Sequence, residues 1–207
     1  MKPSYKFYKG CYRLARALIG IFYRIKVYGQ EHIPEGAAVV CANHSSVIDP
    51  FFIVFAFGIK HHMHILAKAE LFRIPVISTI LTKLGMIRVE RKGLDGATIK
   101  NALGYLKKRE KVTIFPEGTR VREDGAVAPK SGAVRIAGHA KVPLIPVFIP
   151  RKKPLFSTIK VVIGEPFISE EQGKKHDQDE YARITTVLMD KIKALNPHRI
   201  QEVGNRA

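Results

Sequence analysis

Short apolar segments alternate with longer segments of helical periodicity along most of this chain, and that alternation constrains the fold more than any other feature. The apolar segments predict strands at 37–43, 64–67, 86–90, 111–115, 143–149 and 158–164. The remaining pattern predicts helices at 49–58, 72–85, 94–110, 131–140 and 179–195. Strands that alternate with helices are typical of an α/β domain in which helices flank a mostly parallel or mixed central sheet.

Polar residues cluster at the ends of three predicted strands. Asn43 and His44 end the first strand, Arg91 follows the third, and a Pro-Glu-Gly-Thr-Arg run at 116–120 follows the fourth. Ligands of open α/β sheets gather at the carboxyl ends of the strands. We therefore expect these residues, which come from loops far apart in sequence, to build one site.

His44 and Asp49 are the first candidates for chemistry in that site. A neutral histidine is the usual general base near pH 7, and a carboxylate fixes its tautomer and stabilises its protonated form. The pairing requires His44 in a loop and Asp49 in a first helical turn, and Pro50 supports a helix that starts there. Asp49 as a simple N-cap explains the same residues equally well. Both roles can hold at once, because a cap carboxylate can also face a histidine, so we expect Asp49 to cap the helix as well.

The segment 115–120 (Phe-Pro-Glu-Gly-Thr-Arg) has the composition of an anion-binding turn. Gly118 lets the backbone turn tightly or approach a ligand, and Arg120 is suited to a bidentate grip on phosphate. We expect Glu117 either to orient Arg120 or to accept a hydrogen bond from a substrate hydroxyl. Taken alone, the segment is better explained as an ordinary strand-ending turn with an ion pair.

The charge balance predicts a polyanionic partner. Thirty-five Lys and Arg residues face eighteen Asp and Glu residues, which gives a formal net charge of +17 and a pI of about 10.0. Nucleic acid, an anionic membrane surface and an acidic protein all satisfy that balance. We expect no nucleic acid, because the aromatic-rich signatures of nucleic-acid-binding modules are missing.

The segment 1–28 favours a membrane surface as that partner. It carries seven basic residues and no acid, with aromatic and aliphatic residues between them. Its longest charge-free run, 17–23, is far below the ~20 residues that span a bilayer. We expect 1–28 to form basic amphipathic helices that lie in the headgroup region, followed by a catalytic domain at 29–207. An ordinary surface helix packed on the domain is the alternative.

Three other features predict no metal, disulfide or export signal. The run Lys-His-His-Met-His at 60–64 invites a metal interpretation, but no cysteine or carboxylate nearby has ligand spacing, so we interpret it as a basic loop. Alternatively, His62 and His64 share one face of a strand near the active site. Cys11 and Cys41 do not make a disulfide framework, and we expect no signal peptide and a reducing compartment.

Four blocks together resemble one known family. Asn-His-Ser-Ser-Val-Ile-Asp (43–49), Gly-Met-Ile-Arg-Val-Glu-Arg (85–91), Phe-Pro-Glu-Gly-Thr-Arg (115–120) and Val-Pro-Leu-Ile-Pro-Val-Phe-Ile (142–149) occur in this order. They are similar to the sequence blocks of the 1-acyl-sn-glycerol-3-phosphate acyltransferases. The Ala-Lys-Ala-Glu-Leu-Phe run at 67–72 also looks like this family. Val121 departs from its pattern, since members often carry serine there.

The resemblance implies a reaction and a role for each candidate residue. An acyl group would pass from a thioester to the 2-hydroxyl of lysophosphatidic acid, giving phosphatidic acid. His44 would be the general base and Asp49 would hold it, with Asn43 as a supporting residue of the same block. The acceptor phosphate would be bound by Arg91, Glu117, Gly118, Thr119, Arg120 and Lys68. No cofactor is expected beyond an acyl-CoA or acyl carrier protein co-substrate.

Two alternatives remain. The same chemistry on another lysophospholipid or glycerol phosphate acceptor fits the blocks. A non-catalytic basic protein that binds membranes peripherally belongs to another class, and the intact spacing of His44 and Asp49 argues against it. Under the leading hypothesis we expect the protein at the cytoplasmic face of a membrane, attached without a spanning helix.

Overall fold

A mixed β-sheet with helices on both faces organises the molecule. The structure is a computed structural model that describes residues 3–90, 93–168 and 177–197. In these residues seven strands form one sheet in the order β1-β7-β6-β2-β5-β3-β4. Neighbouring strands are parallel except β6 and β7, which pair antiparallel. The predicted α/β class with a mixed, flanked sheet is confirmed.

The strands are β1 (Arg24–Tyr28), β2 (Ala38–Ala42), β3 (Met63–Lys68), β4 (Ile87–Val89), β5 (Lys111–Ile114), β6 (Leu144–Phe148) and β7 (Thr158–Ile163). The α-helices are α1 (Tyr5–Phe22), α2 (Asp49–Phe57), α3 (Pro75–Lys83), α4 (Gly96–Lys107), α5 (Gly132–Ala140) and α6 (Gln178–Ala194). Short 3₁₀ helices lie at Gln30–His32 and Ala69–Arg73. The six predicted strands and the predicted helices 49–58, 94–110, 131–140 and 179–195 are present near their predicted bounds, and β1 is an additional strand.

Strand β2 shows how the sheet separates two cores. Ala38, Val40 and Ala42 pack into a core with α2, and Val39 and Cys41 pack into a second core on the other face. All five residues are fully buried, because successive side chains of a strand point to opposite faces and both faces are covered. The wholly apolar composition of α2 has the same cause, since the helix is buried from Phe52 to Phe57.

One predicted helix is divided by a proline. The expected helix 72–85 is observed as a 3₁₀ turn that ends at Arg73 and the helix α3 that begins at Pro75. Ile74 between them is extended, with φ −88° and ψ 113°. The ring of a proline disfavours the helical conformation in the residue before it, which explains the break.

The prediction of helices throughout 1–28 is wrong for its last five residues. Residues 24–28 form β1, an edge strand that pairs in parallel with β7. Alternate residues of β1 are half-buried, and Ile25 and Val27 pack against the core. The alternating pattern Arg-Ile-Lys-Val-Tyr therefore marks a strand, so the single helix α1 ends at Phe22.

Helix α1 packs one face on the domain and leaves another face open. Tyr8 is buried, and Tyr12, Ala15 and Ile19 pack against the same core. Leu14, Leu18, Ile21 and Phe22 are exposed. Among the described residues, no helix combines the length and the apolar character that crossing a bilayer requires.

Candidate active site

The expected clustering of polar residues follows from the strand order. Strands β6, β2, β5 and β3 are consecutive and parallel, so their carboxyl ends lie at one edge of the sheet. His44 follows β2, Glu117 and Arg120 follow β5, and Lys68 ends β3. This edge is the usual position of a binding site in an open α/β sheet.

His44 and Asp49 meet as the sequence predicted. His44 Nδ1 lies 3.0 Å from Asp49 Oδ2, and the Phe115 ring stacks on the imidazole with 4.1 Å between centroids. Because the carboxylate accepts a hydrogen bond from Nδ1, a neutral His44 carries its lone pair on Nε2. The Asp49 side chain is fully buried and that of His44 is 17 % exposed, so the imidazole is held on its buried side and remains accessible on the other.

Asp49 organises the loop that precedes it and does not cap its own helix. Oδ2 accepts hydrogen bonds of 2.7 Å from the backbone N–H groups of Ser45 and Ser46. Ile48 is the N-cap of α2, and it makes no side-chain capping bond. The expectation that Asp49 caps the helix is therefore wrong, and the reason is that its carboxylate points back into the loop.

Lys153 completes the surroundings of Asp49. Its Nζ lies 2.8 Å from Asp49 Oδ1 and donates to Ser45 Oγ at 2.6 Å. Burial raises the pKa of Asp49, but the hydrogen bond from His44 and the positive charge of Lys153 outweigh it, so that pKa lies below its usual value. Burial lowers the pKa of Lys153, and the attraction of Asp49 opposes that effect. The carboxylate is thus kept ionised, as a partner of an imidazolium must be.

Asn43 fixes the start of the loop. Its side-chain amide donates to the carbonyl of Ile149 at 2.7 Å, and its oxygen accepts from the Ile149 N–H at 2.9 Å. Asn43 is 2 % exposed, and these two bonds satisfy backbone groups just beyond the end of β6. The residue thereby ties the His44 loop to the neighbouring strand end.

Glu117 supports the histidine from the other side. Oε2 accepts the backbone N–H of His44 at 2.6 Å, and Oε1 accepts from Arg151 Nη2 at 2.5 Å. Glu117 is 4 % exposed. The predictions that Glu117 orients Arg120 and binds phosphate are therefore corrected, because both oxygens are engaged inside the protein and a buried carboxylate repels phosphate.

A basic cavity of about 620 Å³ opens beside His44. Lys68, Gly118, Thr119 and Arg120 line it, so it contains four of the residues predicted to bind phosphate. Gly118 has a positive φ of 64°, and a Cβ there would approach Lys130 to 3.2 Å. Lys130 and Arg135 add two further cations to the lining. Arg91, the remaining predicted phosphate ligand, lies outside the described residues.

An apolar cavity of about 550 Å³ meets the basic one at His44, Lys68 and Arg120. Its walls come from three helices, with α1 contributing Tyr12 and Ala15, α2 contributing Phe51 and Phe55, and α3 contributing Leu81. Phe51 is 42 % exposed, so the cavity opens between the helices toward solvent. His44 therefore stands at the junction of a basic cavity and an apolar one.

Two residues that sequence reasoning missed are central to the site. Arg151 and Lys153 follow β6, which neighbours β2 in the sheet. Arg151 Nη1 donates to the carbonyl of Val121, and Nε donates to Asp124 Oδ1, so its guanidinium joins the loops after β5 and β6. Ligand sites form at the carboxyl ends of strands, so the loop after the predicted strand 143–149 carries the same signal as the three loops that were predicted to build the site.

The histidine-rich segment lies at the opposite edge of the sheet. His64 is buried in β3, so the interpretation of 60–64 as a basic loop is wrong for this residue. The amino end of β3 is remote from the carboxyl end of β2, so the placement of His62 and His64 near the active site is also wrong. Glu110, distant in sequence, lies against both rings.

Comparison with known proteins decides the family. Residues 24–150, more than half of the chain, match the family described as Acyltransferase. The chain belongs to the acyltransferase family. This acyltransferase is 33 % identical over 195 residues to the 1-acyl-sn-glycerol-3-phosphate acyltransferase of Bacillus subtilis, covering 91 % of this chain and 96 % of that protein. The family resemblance of the four blocks is confirmed.

Two further comparisons agree. The acyltransferase is 30 % identical over 147 residues to the 1-acyl-sn-glycerol-3-phosphate acyltransferase of Borreliella burgdorferi, covering 70 % of this chain and 57 % of that protein. Its fold matches the crystal structure of the 1-acyl-sn-glycerophosphate acyltransferase PlsC from Thermotoga maritima, with a TM-score of 0.62 and 28 % identity. That match covers 92 % of this chain and 80 % of the other.

Proposed function

We propose that this acyltransferase transfers a fatty acyl group from a thioester to the 2-hydroxyl of 1-acyl-sn-glycerol-3-phosphate, giving phosphatidic acid. The observation that carries the proposal is the position of the His44–Asp49 pair where a basic cavity meets an apolar one. The acceptor has a phosphate and an acyl chain on either side of its reacting hydroxyl. The relatives from Bacillus subtilis and Borreliella burgdorferi are named for the same acceptor.

His44 acts as the general base. Its Nε2 takes the proton of the acceptor hydroxyl while the oxygen attacks the thioester carbonyl carbon. The tetrahedral intermediate then collapses, the carbon–sulfur bond breaks, and the proton passes from Nε2 to the leaving thiolate. The acceptor hydroxyl is itself the nucleophile, so no serine of the protein is acylated. Ser45 fits this account, since its hydroxyl donates to the carbonyl of Arg151 at 3.1 Å.

Asp49 stabilises the imidazolium that forms during the attack. Its lowered pKa keeps it ionised, and its bond to Nδ1 fixes the tautomer with a free Nε2. The backbone bonds from Ser45 and Ser46 hold the carboxylate in place before substrate arrives. The pair is therefore preorganised, and it needs no rearrangement at the moment of reaction.

The basic cavity is the acceptor's phosphate site. Arg120 and Lys68 line it together with the turn at Gly118 and Thr119, whose backbone and hydroxyl are suitable donors. Arg120 and Lys68 also line the apolar cavity, so they lie where a headgroup would adjoin its chain. Arg91 belongs to the same proposal on its sequence position alone.

The apolar cavity houses acyl chain. Residues of α1, α2 and α3 line it, and it opens beside exposed apolar residues such as Val47 and Phe51. A chain that enters between these helices reaches His44 along a mostly apolar wall. The donor is an acyl thioester of CoA or of acyl carrier protein, both of which are anionic and suit the charge of +17.

The open face of α1 docks the enzyme on an anionic membrane surface. Leu14, Leu18 and Ile21 are more than half exposed, and Phe22 lies 5.9 Å from the ring of the exposed Phe156. Basic residues flank this apolar face, as in helices that lie in the headgroup region. The face adjoins the acyl cavity through α1 itself, so docking would place the cavity mouth at the lipid.

A transfer assay tests the proposed reaction. Purified enzyme is given 1-acyl-sn-glycerol-3-phosphate and either acyl-CoA or acyl carrier protein thioester, and phosphatidic acid is measured. The same donors are then tested with lysophosphatidylcholine and with glycerol 3-phosphate. We expect turnover with 1-acyl-sn-glycerol-3-phosphate, the one of these three acceptors that has both a phosphate monoester and an acyl chain. A higher kcat/KM on either other acceptor would assign the enzyme to that acceptor instead.

Vesicle flotation tests the docking face. The triple variant Leu14→Ser/Leu18→Ser/Ile21→Ser removes exposed apolar side chains of α1 and leaves β1 and the buried Tyr8 in place. We expect this variant to lose most binding to phosphatidylglycerol vesicles. Val187→Ser, which changes an exposed apolar residue of α6, is the control. Undiminished binding by the triple variant would show that α1 is an ordinary surface helix and does not bind the membrane.

A further inference from the structure

Two histidines and a carboxylate converge at the edge of the sheet opposite the active site. His64 Nε2 lies 2.9 Å from Glu110 Oε2, and His62 Nδ1 lies 3.8 Å from Glu110 Oε1. One ligand-type atom from each of the three residues falls within 4.8 Å of the others. His62 and His64 lie at the start of β3, and Glu110 lies directly before the parallel β5.

The other nitrogen of each ring is already occupied. His64 Nδ1 lies 2.8 Å from the carbonyl of Gly85, and His62 Nε2 lies 3.1 Å from the carbonyl of Leu84. A carbonyl only accepts, so these nitrogens carry the protons of the neutral rings. The lone pairs of His62 Nδ1 and His64 Nε2 then both face Glu110. Donation of the second ring N–H to a backbone carbonyl is the usual arrangement of a metal-binding histidine.

A proton count shows that this cluster lacks a positive charge. A neutral His64 has one proton for two acceptors, the Gly85 carbonyl and the Glu110 carboxylate. Either one further proton lies between the ring and the carboxylate, or a cation does. The two imidazole lone pairs and the carboxylate that they face are together a suitable set of ligands for a divalent transition-metal ion.

The surroundings hold both rings in this orientation. Tyr105 stacks on His64 with 3.5 Å between centroids, and the Tyr8 ring lies 4.3 Å from that of His62. Gly85 has a φ of +74°, and a Cβ there would lie 2.7 Å from His64 Nδ1, so glycine permits the close approach of the turn. Tyr8 belongs to α1, so the cluster joins the N-terminal helix to β3, the turn before β4 and the start of β5.

We propose that His62, His64 and Glu110 form a binding site for one divalent transition-metal ion, with Zn²⁺ as the fitting example. Bonds of about 2.0–2.2 Å in a tetrahedron place ligand atoms about 3.3 Å apart, and the observed 2.9 Å and 3.8 Å lie on either side of that distance. Glu110 is 30 % exposed, so water reaches the fourth position and the ion has a path of entry. The positive charge of Lys108 opposes a cation here, which lowers the affinity below that of a closed site.

A bound ion would stabilise the fold, and the site would take no part in the transfer reaction. It lies at the amino ends of β3 and β5, whereas His44 lies beyond the carboxyl end of β2. A bound ion would hold α1 through Tyr8 and thereby steady the helix that lines the apolar cavity. The expected effect of metal is therefore a higher melting temperature.

Calorimetric titration of ZnCl₂ into the untagged, chelator-treated full chain tests the site, together with the absorption spectrum of Co²⁺. Glu110→Gln and His62→Gln each remove one ligand at a position that is not fully buried. Glu165→Gln and His139→Gln make the same changes at exposed residues elsewhere. We expect one ion per chain in the wild type and both controls, with a raised Tm, and at least about 100-fold weaker binding in both ligand variants.

Three outcomes would overturn the proposal. The first is no saturable Zn²⁺ binding by the wild type. The second is unchanged affinity in either ligand variant that folds, as judged by circular dichroism. The third is a ¹⁵N spectrum that shows a doubly protonated His64 ring in the presence of saturating Zn²⁺, since that would make the cluster a histidine–carboxylate ion pair.

Discussion

Arg151 and Glu117 form a buried ion pair beside the backbone of His44, the proposed general base. Their side chains are 11 % and 3 % exposed, and the second oxygen of Glu117 holds the backbone N–H of His44. The position of His44 thus depends on a charge pair that does not itself line the basic cavity.

Removing Arg151 should strongly destabilise the fold. Arg151→Met leaves the Glu117 carboxylate buried without its cation, at a cost of about 3 kcal/mol in the free energy of unfolding. The double variant Arg151→Met/Glu117→Gln removes that unpaired charge, so it should be more stable than the single variant. Urea unfolding measures both, with Arg122→Met at an exposed neighbouring position as the control. Equal stability of Arg151→Met and Arg122→Met would contradict the account.

Asp49→Asn should reduce kcat by about 10⁴-fold, in analogy to the loss when the aspartate of a serine-protease triad is replaced by asparagine. An amide can present N–H to His44 Nδ1, which favours the wrong tautomer and no longer stabilises the imidazolium. The acceptor KM should change little. Steady-state kinetics measure the effect, and the exposed Asp190→Asn serves as the control. A loss of less than about tenfold would leave Asp49 as a loop anchor alone.

Lys153→Met should flatten the dependence of stability on acid pH. The folded-state pKa of Asp49 lies below 3.8, its value in the unfolded chain, so the ionised carboxylate contributes stability above about pH 4. This contribution is lost as the pH falls through the folded-state pKa. Without Lys153 that pKa rises toward 3.8, and less stability remains to be lost.

Unfolding in urea at pH 7, 5, 4 and about 3 tests this expectation. Lys152→Met, an exposed change at the adjacent residue, should follow the wild-type curve. If Lys153→Met shows the same slope as the wild type, the ion pair with Asp49 is not what lowers the pKa.

Arg120→Ala should raise the KM for the acceptor by about tenfold or more, the equivalent of one charge-assisted hydrogen bond of 1.5–3 kcal/mol. The KM for the thioester should change much less, because Arg120 faces the cavity assigned to the acceptor phosphate. Initial rates with each substrate varied in turn separate the two constants. Arg122→Ala is the matched control. An unaltered acceptor KM would place the phosphate elsewhere.

Much of the fold was accessible from sequence because its elements carry clear local patterns. The buried β2 has five apolar residues in succession, and α2 is apolar after Asp49 because it is buried from Phe52 to Phe57. Residues 24–28 were misassigned because they continue a basic, aromatic-rich segment, whereas their alternation only becomes decisive once β7 is known to pair with them.

The sequence predicted those site residues that lie close together in the chain or directly follow a recognised strand. His44 and Asp49 are five residues apart, and their contact needed only a loop before a helix. Glu117 and Arg151 are far apart in sequence, as are Asp49 and Lys153. Only the strand order of the sheet brings each pair together. Glu110 was missed beside His62 and His64 for the same reason, since parallel pairing of β3 and β5 brings them together.

The turnover number of His44→Ala is the most direct test of the central claim that His44 is the general base. The substitution removes a side chain that is partly exposed and leaves the Asp49 loop contacts from Ser45 and Ser46 in place. Circular dichroism and urea unfolding establish that the variant is folded, and the exposed His139→Ala controls for loss of a histidine. The account predicts that kcat of His44→Ala falls by at least about 10²–10⁴-fold while His139→Ala stays at the wild-type rate. A folded His44→Ala enzyme with near-normal kcat would contradict it.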